Sequence, residues 1–252
     1  MPTERSNHDA TDEQIHLGCT FGELTLQGLL RFPERVGIVA GERQFTYRQI
    51  VEAISRVIQV LKAHGLQRGQ GIAQLSSNAP EILFVWFAAA IMSLRHTPLH
   101  PLGSEDDQAF ILEDAEIAAL VVDAAAFADR GRALEARIKT LTSVFTVGPA
   151  DDGIDLSAEM AKCRPGPVRV EAQPEDICTL NYTGGTTGRP KGVILPNRVH
   201  VAARLAMLTA MAGRGQGGRR RMRPSRAHAC LIAVPGMHWV WINADRLLRG
   251  EL

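Results

Sequence analysis

The stretch Leu180–Gly192, LNYTGGTTGRPKG, decides the reading of this chain. It packs four glycines, three threonines and one lysine into thirteen residues, directly after an apolar run. A flexible linker has no need of the threonines, and a plain turn has no need of so much glycine. Backbone N–H groups wrap an anion only where the chain turns through unusual dihedrals and comes close to the ligand. Gly184, Gly185 and Gly188 permit both. Thr183, Thr186 and Thr187 add hydroxyl donors for phosphate oxygens, and Lys191 adds a mobile cation behind the stiffening Pro190. These residues make a polyphosphate cradle; a Gly-rich turn with incidental hydroxyls is the competing reading. A Walker-type loop fits poorly. It needs G-x-x-x-x-G-K-[ST] opening a helix, whereas Lys191 stands between Pro190 and Gly192.

The flanking sequence predicts an α/β fold of mainly parallel sheets with flanking helices. FTYRQIVEAISRVIQVLKAHG (45–65) carries Ile50, Ile54, Val57, Ile58 and Leu61 at helical spacing, a Thr46/Gln49 capping box and a terminating Gly65. GIAQL (71–75) reads as a strand, and Asn78 as the cap of the following apolar helix. HTPLHPLG (96–103) is extended or turn-like, and Ser104 with Asp107 opens a helix through about Glu113. AALVVD (118–123) and SVFTV (143–147) read as buried strands around an Ala-rich helix. Residues 159–175 carry three prolines and read as a surface loop. DICTLNYT (176–183) is then a strand, with the glycine-threonine stretch at its C-terminal end, where open α/β sheets bind ligands.

Bulk properties exclude more than they identify. The 252 residues can bury a substantial core, and the formal charge of +1 gives no overall attraction to nucleic acid or membrane. Cys19, Cys163, Cys178 and Cys230 form no C-x-x-C pair, so free thiols are expected in place of a zinc site or a disulfide framework. His64, His96, His100 and His200 show no metal-like spacing and read as structural or surface residues. Residues 1–20 are polar, lack an apolar signal core and are expected to be loosely ordered. The most apolar window, Ile82–Leu94, is thirteen residues long, too short for a membrane span. A cytoplasmic protein is expected.

YTGGTTGRPKGV (182–193) resembles the phosphate-loop signature of the adenylate-forming, AMP-binding superfamily of acyl-CoA synthetases, peptide-synthetase adenylation domains and luciferases, with Gly184 at a position usually held by serine. Upstream, the Thr-Tyr helix start at Thr46–Tyr47, the Gly65-x-x-x-Gly69 turn, the Asn78-x-x-Glu81 pair and Pro98-Leu-x-Pro101 are similar to the family's early segment. The resemblance covers residues 21–211, taken as the N-terminal part of the ligase large domain. It implies ATP, Mg²⁺ and coenzyme A, with a carboxylic acid, most simply a fatty acid, as substrate. It also implies that Thr183, Gly184, Gly185, Thr186, Thr187 and Gly188 hold the β- and γ-phosphates. Lys191 then serves catalysis beside the departing pyrophosphate, and Thr183 touches the magnesium. Asn78 and Glu81 match positions that read as structural.

Beyond Met211 the match degrades. Residues 213–226 hold six arginines and no acid, and a shifted reading frame or a solvated loop explains the change. Pro235 and His238 echo a Pro-x-x-His segment of the family, which implies an acyl-pocket role for His238. The family's adenine, ribose and hinge elements and its C-terminal lysine find no counterpart, so little turnover is expected of these 252 residues alone. Two other readings stand beside the ligase. One is a non-catalytic nucleotide-binding remnant, or half-enzyme, that complements a separate C-terminal part. The other is an Arg-rich nucleic-acid contact, which lacks interleaved aromatics for base stacking.

Overall fold

In the computed structural model, which describes residues 19–183 and 188–213, side-chain caps set most helix starts. Thr20 caps α1 (Phe21–Arg31), its hydroxyl accepting from the Glu23 N–H while the Glu23 carboxylate accepts from the Thr20 N–H. Thr46 and Gln49 make the same reciprocal pair at α2 (Tyr47–Ala63), as their spacing predicts, and Gly65 follows its end with φ +82°. Asn78 does not cap α3 (Pro80–Met92). The N-cap is Ala79 with no side-chain bond, and Asn78 is exposed. Pro80 at the first helical position brings no N–H, so one donor that a cap would satisfy is absent. Ser104 caps α4 (Glu105–Asp114) and Asp123 caps α5 (Ala124–Arg137). Asp155 caps α6 (Leu156–Lys162), a helix that takes up the start of the segment expected to be loop; the three prolines come after it.

Strands β1 (Val36–Ala40) and β2 (Arg43–Thr46) form a small antiparallel pair. The main sheet contains β3 (Gly71–Leu75), β4 (Arg95–Pro98), β5 (Ile117–Asp123), β6 (Ser143–Val147), β7 (Ile154–Asp155), β8 (Ile177–Thr183) and β9 (Lys191–Pro196). Its order is β7-β6-β5-β3-β4-β8-β9, parallel throughout except for β8 with β9. This is the expected α/β class. The chain then enters α7 (Asn197–Gly213).

Each face of the sheet buries its own apolar layer, because alternate residues of a strand point to opposite sides. Ile72, Ala119 and Val121 join Phe21, Ile54 and Trp86 in one layer. Ala73, Leu75, Leu120 and Val122 join Leu112, Leu134 and Leu180 in the other. α3 is buried at eleven of its thirteen positions, which makes its uniform apolarity that of a core helix. Among the described residues no helix is long and apolar enough to cross a membrane.

Asn197 closes the base of the last hairpin. Its Oδ1 accepts from the Phe21 N–H at 3.2 Å, and its Nδ2 donates to the carbonyls of Gln173 and Asp176, each at 3.2 Å. The side chain is 1% exposed, so water cannot replace these bonds. Asn197→Ala leaves the Phe21 N–H and the Gln173 carbonyl without these partners, while the Asp176 carbonyl keeps the Asn197 N–H, and is expected to cost about 2 kcal/mol, read as a lower urea midpoint at unchanged slope. An unaltered midpoint would show that the joint carries no stability.

Two histidines sit in the same region. Burial, reinforced by His200, pushes His96 down to about 3; burial, reinforced by Arg204, pushes His200 down to about 4. Both are neutral in the fold and titrate near the ordinary 6.5 when unfolded. As pH falls from 6.5 toward 4, the unfolded chain takes up protons that the folded chain refuses, so stability drops with falling pH. Chemical denaturation at a series of pH values should show this slope, and His200→Gln should flatten it. A flat wild-type profile over that window contradicts neutral burial.

Candidate active site

β8 ends at Thr183 and β9 begins at Lys191, so the two strands of this hairpin bracket the glycine-threonine stretch in sequence. β8 runs parallel beside β4, so it delivers Thr183 to the carboxyl edge of the sheet, and β9 returns antiparallel. Thr183 and Lys191 are register partners, facing each other across the mouth of the loop. Sequence reasoning brings the two together only as members of one motif; the ladder makes them neighbours. Gly184, Gly185, Thr186, Thr187 and His238 lie outside the described residues, as do Cys230 and the arginine-rich run.

Thr183 is exposed, and its hydroxyl donates to the Lys191 carbonyl at 3.5 Å, a long bond that a stronger acceptor can displace. Lys191 is exposed, and among the described residues no carboxylate reaches its ammonium. Gly188 is not in the left-handed region, contrary to the expectation of unusual dihedrals there. Open space surrounds the place its side chain would occupy, so its contribution is room for close approach. Gly192 answers to packing. It pairs with Tyr182, and a Cβ on it would come within 3.2 Å of both Leu180 Cδ1 and Tyr182 Cζ.

Sequence reasoning missed the surroundings of the two legs. The Tyr182 hydroxyl donates to the Asp114 carboxylate on α4; burial, and then this bond, raise the phenol well above the ordinary range. The Arg189 guanidinium lies over the Phe110 ring, 5.2 Å from its centroid. No local motif announces either contact.

The described histidines make structural contacts. His96 Nε2 bonds Gln74 Oε1 at 2.6 Å, His200 Nε2 bonds Thr179 Oγ1 at 2.8 Å, and His100 Nδ1 accepts from the Leu102 N–H at 3.1 Å. His64 meets Phe145 edge-on at 5.3 Å. Glu81 pairs with Arg43, the structural role expected of it. Cys19, Cys163 and Cys178 are free thiols, and burial pushes Cys178 up to about 12. Among the described residues no group of three or more His, Cys, Asp or Glu side chains is placed to hold a metal ion.

Comparison with known proteins identifies the family. The AMP-binding enzyme family matches residues 27–238. The medium/long-chain-fatty-acid–CoA ligase FadD8 of Mycobacterium tuberculosis is 37% identical over 195 residues, 75% of this chain and 34% of that protein. The crotonobetaine/carnitine–CoA ligase of Salmonella paratyphi A is 28% identical over 171 residues, 66% of this chain and 32% of that protein. The crystal structure of ATP-bound MatB from Rhodopseudomonas palustris superposes with a TM-score of 0.64 at 26% identity, covering 73% of this chain and 37% of that one. The chain thus spans about a third of the length of the curated relatives it matches. With a family match across most of its residues and the signature loop at the carboxyl edge of a mostly parallel sheet, the chain belongs to the AMP-binding enzyme family.

Proposed function

We propose that the chain carries the phosphate-handling part of an ATP-dependent acid–CoA ligase whose acid is a fatty acid. The observation behind this reading is the pairing of Thr183 with Lys191 across the mouth of the loop, in a chain of the AMP-binding family. The printed name of FadD8 supports the fatty acid and coenzyme A, and the ATP bound to MatB supports the nucleotide.

In the proposed reaction a carboxylate oxygen attacks the α-phosphorus of ATP, the bond to the bridging oxygen breaks, and pyrophosphate leaves. The sulfur of coenzyme A then attacks the acyl carbonyl of the mixed anhydride. A thioester forms, AMP leaves, and the thiol proton passes to solvent. The task of residues 183–188 is to hold the β- and γ-phosphates by hydroxyl and backbone N–H donors, with the open space at Gly188 admitting close contact. Lys191 supplies a positive charge where negative charge builds on the departing group, which is where a fixed charge lowers a barrier most. Thr183 offers a single hydroxyl to magnesium, which fits an ion that takes most of its ligands from phosphate and water. When bound, Mg²⁺ neutralises phosphate charge. His238, the last residue of the family match, is assigned to the acid pocket by its resemblance alone.

A half-enzyme needing a separate C-terminal part is a second reading, favoured by one feature. β9 is the outermost strand of the sheet among the described residues, and its Val193 and Ile194 are exposed.

Calorimetric titration tests the phosphate site. Because the proposed contacts reach only phosphates, ATP and inorganic tripolyphosphate should bind the 252-residue chain with similar, weak affinity. Lys191→Ala should weaken both by about tenfold, the worth of one charge-assisted contact. Failure of both ligands to bind at millimolar concentration would falsify the reading. Little ATP–pyrophosphate exchange is expected of these residues alone, and robust exchange driven by a fatty acid overturns that expectation.

A further inference from the structure

Both legs of the glycine-threonine loop rest on one helix. Tyr182, next to Thr183 on the entering leg, donates its hydroxyl to Asp114. Arg189, ahead of Pro190 on the leaving leg, lies on the Phe110 ring. Phe110 and Asp114 are four residues apart in α4, so they share one face of the helix, one turn from each other. The two contacts differ in chemistry: one is a hydroxyl donated to a carboxylate, the other a planar cation on an aromatic face.

α4 is a firm support. Ala109, Ile111 and Leu112 are buried in the apolar layer that also contains Leu180, and half-buried Tyr182 and Phe110 pack against that layer. Gln108 is 1% exposed, donates to the His100 carbonyl at 2.9 Å and accepts from Arg130 of α5 at 2.7 Å. Ser104 fixes the helix start by accepting from the Asp107 N–H. The Gly192 position keeps the Tyr182 ring against the hairpin, since any side chain there would crowd Leu180 and Tyr182.

We infer that Phe110 and Asp114 are positioning residues: α4 is the anchor that fixes the spacing and heading of the loop's two legs before any ligand arrives. A loop whose legs are already held does not lose that freedom on binding, so the anchor strengthens affinity without touching the ligand. The consequence for ATP rests on the function proposed above. The anchoring itself does not.

Hydrogen–deuterium exchange of the whole 252-residue chain, without nucleotide, reads the anchor directly. In Phe110→Ala/Asp114→Ala, amides in peptides spanning 181–192 should exchange about tenfold faster, as two lost contacts of this kind allow, while β3 and β5 keep wild-type rates. Tyr182→Phe/Arg189→Ala, made on the loop side, should give the same local rise. Phe110→Tyr, which keeps the aromatic face, should restore the leaving leg. Tripolyphosphate affinity should fall in both double variants. Unchanged exchange at 181–192 overturns the inference, and so does a rise spread across the whole sheet, which would make α4 a general core support. A local rise in a protein whose wild type binds no polyphosphate leaves the anchor standing and removes the proposed function instead.

Discussion

The buried amide of Asn197 is the joint on which the orientation of the phosphate hairpin depends. The chain enters β8 from Asp176 and leaves β9 at Pro196, and these points are held together from several directions. The Asn197 N–H donates to the Asp176 carbonyl at 3.0 Å and the Arg198 N–H to that of Pro174 at 3.0 Å. The Asn197 side chain adds its bonds to Gln173, Asp176 and the first N–H of α1. With the stem closed there and the β8–β9 ladder running from it to Thr183 and Lys191, the tip is directed to the carboxyl edge. Asp176 ties this joint to the rest of the sheet, accepting from Arg68, from Ser93 at the end of α3 and from the Gln173 N–H; its carboxyl is held below the ordinary range.

How much of this was legible in sequence depended on the distance over which each signal acts. Thr46, Gln49, Ser104 and Gly65 act on backbone within a few residues of themselves, and their readings hold. Asn78 has the composition of a cap but not the role, because Pro80 shifts the helix start and lowers the demand for a cap. α6 was hidden by the prolines that follow it, although Asp155 gives a usable start signal. β9 was missed because KGVILP is short and shares its first residues with the loop signature. The loop was legible as chemistry, but its glycines carry different duties: Gly188 leaves room and Gly192 accommodates Tyr182. Asp114 lies 68 residues from Tyr182 in sequence, so only the crossover that lays α4 over the sheet shows that they meet.

The buried histidines are each held through one ring nitrogen, and His96 leaves its Nδ1 without a partner among the described residues. Gln74 donates its Nε2 to the Ile82 carbonyl at 3.0 Å, which fixes the amide so that Oε1 faces His96. Oε1 can only accept, so His96 Nε2 carries the proton and the ring is held in one neutral tautomer. His96 and Thr179 are register partners, and Thr179 in turn bonds His200 on α7. The joint between the parallel part of the sheet and the hairpin is therefore lined by uncharged polar groups. A charge there would have to be desolvated, and the low pKa values of both histidines measure that cost.

On the proposed reading, phosphate handling and acid choice are separable in this fold. The phosphate contacts are local, lying within residues 183–191 and depending on α4 and Asn197 for support. An alkyl chain needs an apolar cavity, and neither of two grooves formed by described residues lies at the hairpin. The first, about 330 Å³, is lined by Asp129, Arg132 and Glu135 beside β5 and β6, near the opposite end of the sheet from the hairpin. The second, about 400 Å³, mixes Arg43, Glu52 and Arg56 with Phe45, Phe84 and Met160 and contains no residue of the hairpin. The charged wall of the first rejects a hydrocarbon, because its carboxylates and guanidinium group would lose water without gaining partners. On this reading acid selectivity is built from residues outside the hairpin, and a change of acid need not disturb it.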